Sequence, residues 1–238
     1  MIQDKNGRSI VTMEDWAEIY SSGNRSKHWK EGRSAYSIAD YVINHNGLDR
    51  ICHRVEEIIQ EPIKFEKVIP ELEIKFDKFR QGRVHDLGIY GDNPSIFIGV
   101  ESKVDEPFGQ TISDSYLDSV ARSISGENTK KPQRIYDLLK KQFRKPDRTV
   151  FDLRYQLLYA VSGTIAAKKK ISVLYIIAFK TNLYDDLLGI DNYRDYISFM
   201  KAVNAIEQKT SRPDSVVHKM NLGRKELISI YDQIEWKF

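Results

Sequence analysis

"RVHDLGIYGDNPSIFIGVESKV", residues 83–104, decides how the rest of the chain is read. Two apolar, β-branched runs flank "GDNP", a cluster of turn formers, which is the pattern of a hairpin. The pattern predicts strands at 84–90 and 95–104, with 63–78, interrupted at Pro70, as a third antiparallel strand. An even loop, Asp92–Asn93 or Gly91 to Pro94, sets Asp86 across from Gly99, and paired residues share a face. Strand side chains alternate, so Asp86, Glu101 and Lys103 are expected on one surface, with Leu87, Ile89, Ile98 and Val100 entering the core. A one-residue slip would reverse the face. His85 is out of phase with Asp86 and reads as a core histidine.

Upstream of the hairpin the apolar period is helical. Thr12 precedes Asp15 by three residues, as in a capping box. "SAYSIADYVI" and then Leu48, Ile51, Val55, Ile58 and Ile59 mark two further helices, the second ended by Pro62. Downstream, Ile112, Leu117, Val120, Ala121 and Ile124 form one stripe. Ile135, Leu138, Leu139 and Phe143 form another behind Pro132. A long helix over "FDLRYQLLYAVSGTIAAKKK" leads to "ISVLYIIAFK" (171–180), a strand apolar on both faces. Helices at about 183–188 and 192–209 and two strand-like runs, "SVVHKM" and "ELISIYDQIEW", complete the chain. The order predicts a mixed α/β (α+β) fold in one domain around one sheet. Its parts are a helical segment 1–47, a core 48–179 and an extension 180–238.

Composition bounds the function. With 238 residues the chain can bury a substantial core, and a net charge of +3 does not by itself imply a nucleic-acid partner. Cys52 is the only cysteine, which excludes an intrachain disulfide and a multi-cysteine zinc site. The longest apolar run, "VLYIIAF", is too short to span a bilayer, and "MIQDKNGRSI" lacks a signal's apolar stretch, so no membrane partner and a cytoplasmic location are expected. The five histidines show no metal-ligand spacing, and no phosphate loop or nucleophile elbow is present.

Two carboxylates and an amine on one ledge suit a divalent-metal phosphodiesterase. Mg²⁺ takes hard oxygen ligands and needs only one or two carboxylates besides water and substrate phosphate. Lys103 would stabilise developing charge or act on a proton once desolvated. Glu-x-Lys by itself says little, since it occurs at 73–75, 101–103, 207–209 and 235–237; the copy at 101–103 alone follows a buried strand with an aspartate on its hairpin partner.

Asp86, followed by Glu101-Ser102-Lys103 after a hydrophobic strand, resembles the PD-(D/E)xK signature of restriction-endonuclease-like nucleases. Within that superfamily "WKEGRSAYSIA", "VESKVDEPFG" and "LRYQLLY" are similar to an uncharacterised bacterial family, over roughly residues 25 to 185. The resemblance implies an αβββαβ core, Asp86 and Glu101 as ligands of Mg²⁺ (or Mn²⁺), and Lys103 as the catalytic lysine. It also implies a glutamate from the first core helix, matched by Glu56 or Glu57, with Glu57 kept among the site residues. Arg154 and Gln156 match a helix arginine or glutamine near the metal, and Gln110 is a weaker match. The proline usual before the aspartate is absent; His85 stands there.

The implied activity is DNA cleavage. The alternative is a catalytically silent nucleic-acid-binding module or a partner-dependent subunit of a bacterial defence or restriction system, and a homodimer suits cleavage of two strands. For DNA contact, "KKPQRIYDLLKKQFRKPDR" (130–148) carries eight cations against Asp137 and Asp147, with Lys140, Lys141, Arg144 and Lys145 at its centre. In the loop 23–35, Arg25, Lys27, Lys30 and Arg33 surround Trp29, which would stack a base or pin the loop to the core.

Overall fold

The computed structural model describes residues 1–21, 28–222 and 225–237. Arg25 and Lys27 of the basic loop lie outside them. The fold is mixed α/β: a seven-stranded sheet in the order β1-β2-β3-β4-β7-β6-β5, with helices on both faces. The strands are β1 (Lys64–Ile74), β2 (Arg83–Asn93), β3 (Ile96–Lys103), β4 (Ile171–Lys180), β5 (Ile206–Gln208), β6 (Ser215–Leu222) and β7 (Lys225–Glu235). β3, β4 and β7 run parallel at the centre, and the outer pairs are antiparallel. The two C-terminal strand-like runs thus belong to the same sheet as the hairpin. β1 is the edge, which is where Pro70, lacking an N–H, is tolerated.

Three helices, α1 (Met13–Ala17), α2 (Ser34–Asn44) and α3 (Gly47–Ile59), lie on one face with Trp16, Ile38, Ile51 and Val55 against Leu87, Ile89, Ile98 and Val100. Thr12 and Asp15 form the capping box expected at the start of α1. Helices α4 (Ile112–Ile124), α5 (Lys131–Gln142), α6 (Tyr155–Ala166) and α7 (Asp186–Ala202) serve the other face, through Ile112, Leu138, Leu157, Val161 and Phe199. β4 is buried along its length between the two cores, which is why it reads as continuously apolar.

Three expectations need correction. The long helix expected over residues 151–170 is α6 alone, since residues 148–152 form a separate 3-10 turn and α6 ends at Ala166. The helices expected at 183–188 and 192–209 are one helix, α7, which ends at Ala202, and residues 206–208 form strand β5 instead; α7 is capped by Asp185, whose carboxylate accepts the N–H groups of Leu187 and Leu188. Gly189 sits inside it, where an added Cβ would meet Tyr184. The hairpin register is also displaced: Gly88, not Asp86, lies across from Gly99, because the chain reverses at Asn93–Pro94. The displacement is two residues, so faces are preserved.

β2 then changes phase. Leu87 and Ile89 point to the α2–α3 core, whereas Arg83 and His85 lie against Gly163 of α6. The change falls at Asp86, opposite Glu71, whose φ of 49° marks the same irregularity in β1. Pairing of β2 with β3 ends at Leu87–Val100, and the two strands part there.

Candidate active site

Asp86 fills the gap where β2 and β3 part. Its Oδ2 accepts the Ser102 N–H at 2.6 Å, in place of a ladder carbonyl. On β3, Glu101 and Lys103 are 2% and 6% exposed and point to the α6 face. Glu101 Oε1 accepts from Lys103 Nζ at 2.9 Å and from Gln156 Nε2. Its Oε2 accepts from Arg83 Nη2. Lys103 Nζ also lies 5.5 Å from the Phe108 ring centroid. The expected convergence of Asp86, Glu101 and Lys103 is present, with Gln156 reaching in from α6.

The site stands at the carboxyl end of β3, where it runs parallel to β4, the end at which open α/β sheets bind ligands. Helices close it from both sides. Ser102 Oγ donates to the Ser34 carbonyl at the start of α2, and Gln156 is in the first turn of α6. The turn after β3 is held in place: Asn192 of α7 donates to the carbonyls of Asp105 and Glu106 at 3.0 and 2.9 Å.

Burial shapes the titration of these groups. It pushes the Lys103 amine below its usual value, against the pull of Asp86 and Glu106. It raises the Asp86 carboxyl, with Lys103 and the Ser102 N–H opposing. His85 is fully buried with both ring nitrogens unpartnered, and its pKa lies well below 6.5 because of that burial and the neighbouring Arg83. It is the expected core histidine, packed edge-on against Phe97.

Arg83 and Glu106 are the members that sequence reading missed. Glu106 bears electrostatically on both Asp86 and Lys103 while its Oε2 accepts the Val104 N–H at 2.9 Å. The signal for it was a third acid three residues past β3 in "VESKVDE"; Arg83 had none, since its pairing depends on the phase change in β2.

Other expected residues are elsewhere. Glu57 pairs with Arg54 and Arg212 at 3.0 and 2.7 Å, and Glu56 accepts the Ile63 N–H. Neither reaches the site, because α3 packs on the opposite face of the sheet from α6. Arg154 is a clamp, bonded to Asp195 at 2.7 Å and to the Gly109 carbonyl. Arg33 is bonded to Asp105 at 2.6 Å and so helps hold the turn after β3. Gln110 is exposed and accepts from Ser115. Trp29 packs between Tyr20 and Tyr36 and pins its loop to the core, leaving Lys30 exposed.

The basic segment is divided. Lys130, Lys131 and Arg134 face α6 beside Tyr155 and Tyr159, flanking Gln156. Lys140 and Lys141 are exposed in the last turn of α5, and Arg144 and Lys145 just past its end, at the level where Gln142 donates to the Leu158 carbonyl and Ser162. The half that faces the site is not the half the sequence emphasised.

Among the described residues no group of three or more His, Cys, Asp or Glu could hold a metal ion. The donor chemistry of two, Asp86 and Glu101, fits Mg²⁺, which takes one or two carboxylates and completes its shell with water and phosphate. Asp86 Oδ1 has no partner among the described residues, and Glu101 offers its oxygens in competition with Arg83, Lys103 and Gln156. Three carboxylates, Asp86, Glu101 and Glu106, against Arg83 and Lys103 leave a negative excess.

The family described as Domain of unknown function (DUF6946) matches residues 9–232. The chain belongs to that family. No curated protein and no solved structure matches it. The match takes in every residue of the site. Among the described residues no helix is long and apolar enough to cross a membrane.

Proposed function

We propose that the chain is a metal-dependent phosphodiester hydrolase acting on DNA, of the PD-(D/E)xK type that the sequence resembles. One observation carries the reading: Asp86, Glu101 and Lys103 gather at the carboxyl end of β3, with the desolvated Lys103 amine 2.9 Å from Glu101. Buried ionisable groups gathered in this way, with shifted titration at Asp86 and Lys103, are a feature of reactive sites.

Asp86 and Glu101 would hold the metal, and Gln156 and Arg83 orient Glu101. Bound Mg²⁺ or Mn²⁺ supplies Lewis-acid polarisation of the phosphodiester. Lys103, held by Glu101 over Phe108, is placed to neutralise charge developing on the phosphoryl oxygens or to move a proton from the attacking water. Its lowered pKa brings the amine nearer to what proton transfer at neutral pH requires.

The test is a cleavage panel on plasmid, linear duplex, single-stranded DNA and RNA with Mg²⁺ or Mn²⁺. Asp86→Ala, Glu101→Gln and Lys103→Ala should each abolish cleavage while the protein stays folded. Undiminished cleavage by all three variants sinks the proposal.

One contact favours a second reading, a binding module without chemistry: Arg83 already neutralises Glu101 Oε2. Under that reading the protein binds DNA but calorimetry detects no Mg²⁺ binding, and Arg83→Met restores it.

A further inference from the structure

Beside the site, between the start of α5 and the start of α6, runs a groove of about 530 Å³. Phe79, Tyr155 and Tyr159 line it, with Arg80, Lys130, Lys131 and Arg134 among them. We infer that this groove seats one unpaired polynucleotide strand and leads it to the carboxylates of the candidate site. The inference rests on the hydrolase reading and names the form of its substrate.

Continuity with the site comes from α6 and the start of β2. Tyr155 and Tyr159 flank Gln156, which holds Glu101. Tyr159 Oη donates to the Gly82 carbonyl at 2.7 Å, next to Arg83, which holds the other oxygen of Glu101. The inner wall of the groove is therefore built from the neighbours of both groups that orient the carboxylate.

The lining suits a strand with its bases free. Tyr155 and Tyr159 are stacked with centroids 5.6 Å apart, and Arg134 lies over Phe79 and Tyr159 at 4.9 and 5.3 Å. Aromatic and guanidinium planes of this kind take up unpaired bases, whose faces a double helix keeps stacked on one another. A cleft within the roughly 300–1,000 Å³ class encloses a nucleotide or two, not a duplex.

The charge suits phosphate. Arg122 is paired with Glu127, and Arg134 with Asp77. Arg80, Lys130 and Lys131 have no carboxylate partner among the described residues. Three phosphate contacts would give a log–log salt slope of roughly −2 on a single strand.

The full-length Lys103→Ala protein, in EDTA, is titrated into a labelled oligo-dT of about 12 nucleotides, the matching oligo-U, and a blunt hairpin duplex, with fluorescence anisotropy as the readout. The single strand should bind at least about 10-fold more tightly than the duplex, and binding of either dT or U upholds the inference. Lys130→Glu with Lys131→Glu should weaken it at least about 10-fold and flatten the salt slope by about 1.4. The same charge change at exposed Lys5 and Lys64 should cost less than about 3-fold. Tyr155→Leu should weaken it roughly 5-fold or more, with thermal unfolding confirming a folded variant. Tighter duplex binding, or equal effects of the two lysine pairs, overturns the inference. Binding is read without metal on a variant that does not cleave. A failed groove with active wild-type enzyme, and an intact groove with no cleavage, are therefore separate outcomes.

Discussion

Two buried groups of charge flank the sheet, and they are put together differently. Around Arg54, 4% exposed, two arginines meet two carboxylates: Arg54 contacts Glu57 and Asp232, and Arg212 contacts Glu57. Arg54 also bonds Thr210 and Ser215, and Tyr175 donates to Asp232 at 2.6 Å. Apart from Arg54–Glu57, a pair within α3, each contact joins parts of the chain that are remote in sequence: α3 to β7, to Ser215 of β6 and to the segment before it, and β4 to β7. Around Glu101 the contacts are mostly between residues of β2 and β3, and among the described residues only Gln156 enters from another layer. The first group ties the fold together with balanced charge. The second desolvates charge, with acids in excess, and adds little connection. Burial of that kind is a net cost to folding unless something else uses the charge.

Substitution should separate the two groups sharply. Lys103→Met leaves Glu101 with Arg83 and Gln156 and removes the cost of burying the amine, so it should cost less stability than Arg54→Met. Cleavage should fall at least about 100-fold. Arg54→Met takes the guanidinium away from buried Asp232, leaves Glu57 with Arg212 alone, and should cost about 3–5 kcal/mol. Cleavage per folded molecule should hold. Denaturant melts and single-turnover assays on both variants check the pair of outcomes; the contrast collapses if Lys103→Met unfolds the protein while Arg54→Met does not.

Gln156→Ala sharpens the contrast from within the site. The amide holds Glu101 Oε1 in place beside Lys103. Loss of such an orienting bond should lower metal affinity and activity about 10- to 100-fold. If its role is positioning, raising Mg²⁺ should recover part of the activity, which would not happen for Lys103→Met.

The same contrast explains what could be read from sequence. The hairpin, the buried β4 and the grouping of Asp86, Glu101 and Lys103 follow from alternation, and alternation survives a register error of two. Gln156 was legible only through a resemblance, since nothing in helical periodicity says that its amide meets Glu101. Glu57 was misplaced because periodicity shows which face of α3 is buried, not which face of the sheet buries it. Arg83 was invisible because strict alternation puts it out of phase with Glu101, and the phase change at Asp86 is a tertiary feature. The Arg54 group could not be read at all, since its partners come together only when the C-terminal strands join the sheet.

The smallest effect concerns acid stability, to which two buried imidazoles contribute. His85 and His218 both have folded pKa values below the unfolded 6.5, burial being the main cause, with Arg83 adding at His85 and Glu207 opposing at His218. A depressed folded pKa gives stability that is fully present above the unfolded value and is lost as pH falls through the window below about 6.5. Asp86 works in the opposite sense, since its raised pKa makes protonation favour the folded state as pH falls. The whole-protein slope therefore mixes signs, and the variant difference isolates one group. Each imidazole contributes at most one proton, a slope of no more than about 1.4 kcal/mol per pH unit. Calorimetric melts between about pH 7 and pH 5 should show His85→Met flattening the acid limb by up to that amount. His218→Gln should flatten it less, because Glu207 offsets part of the burial effect and the ring bonds Tyr196 at 3.2 Å. An unchanged slope in His85→Met would mean that the ring between Gly99 and Gly163 is already solvated in the native state.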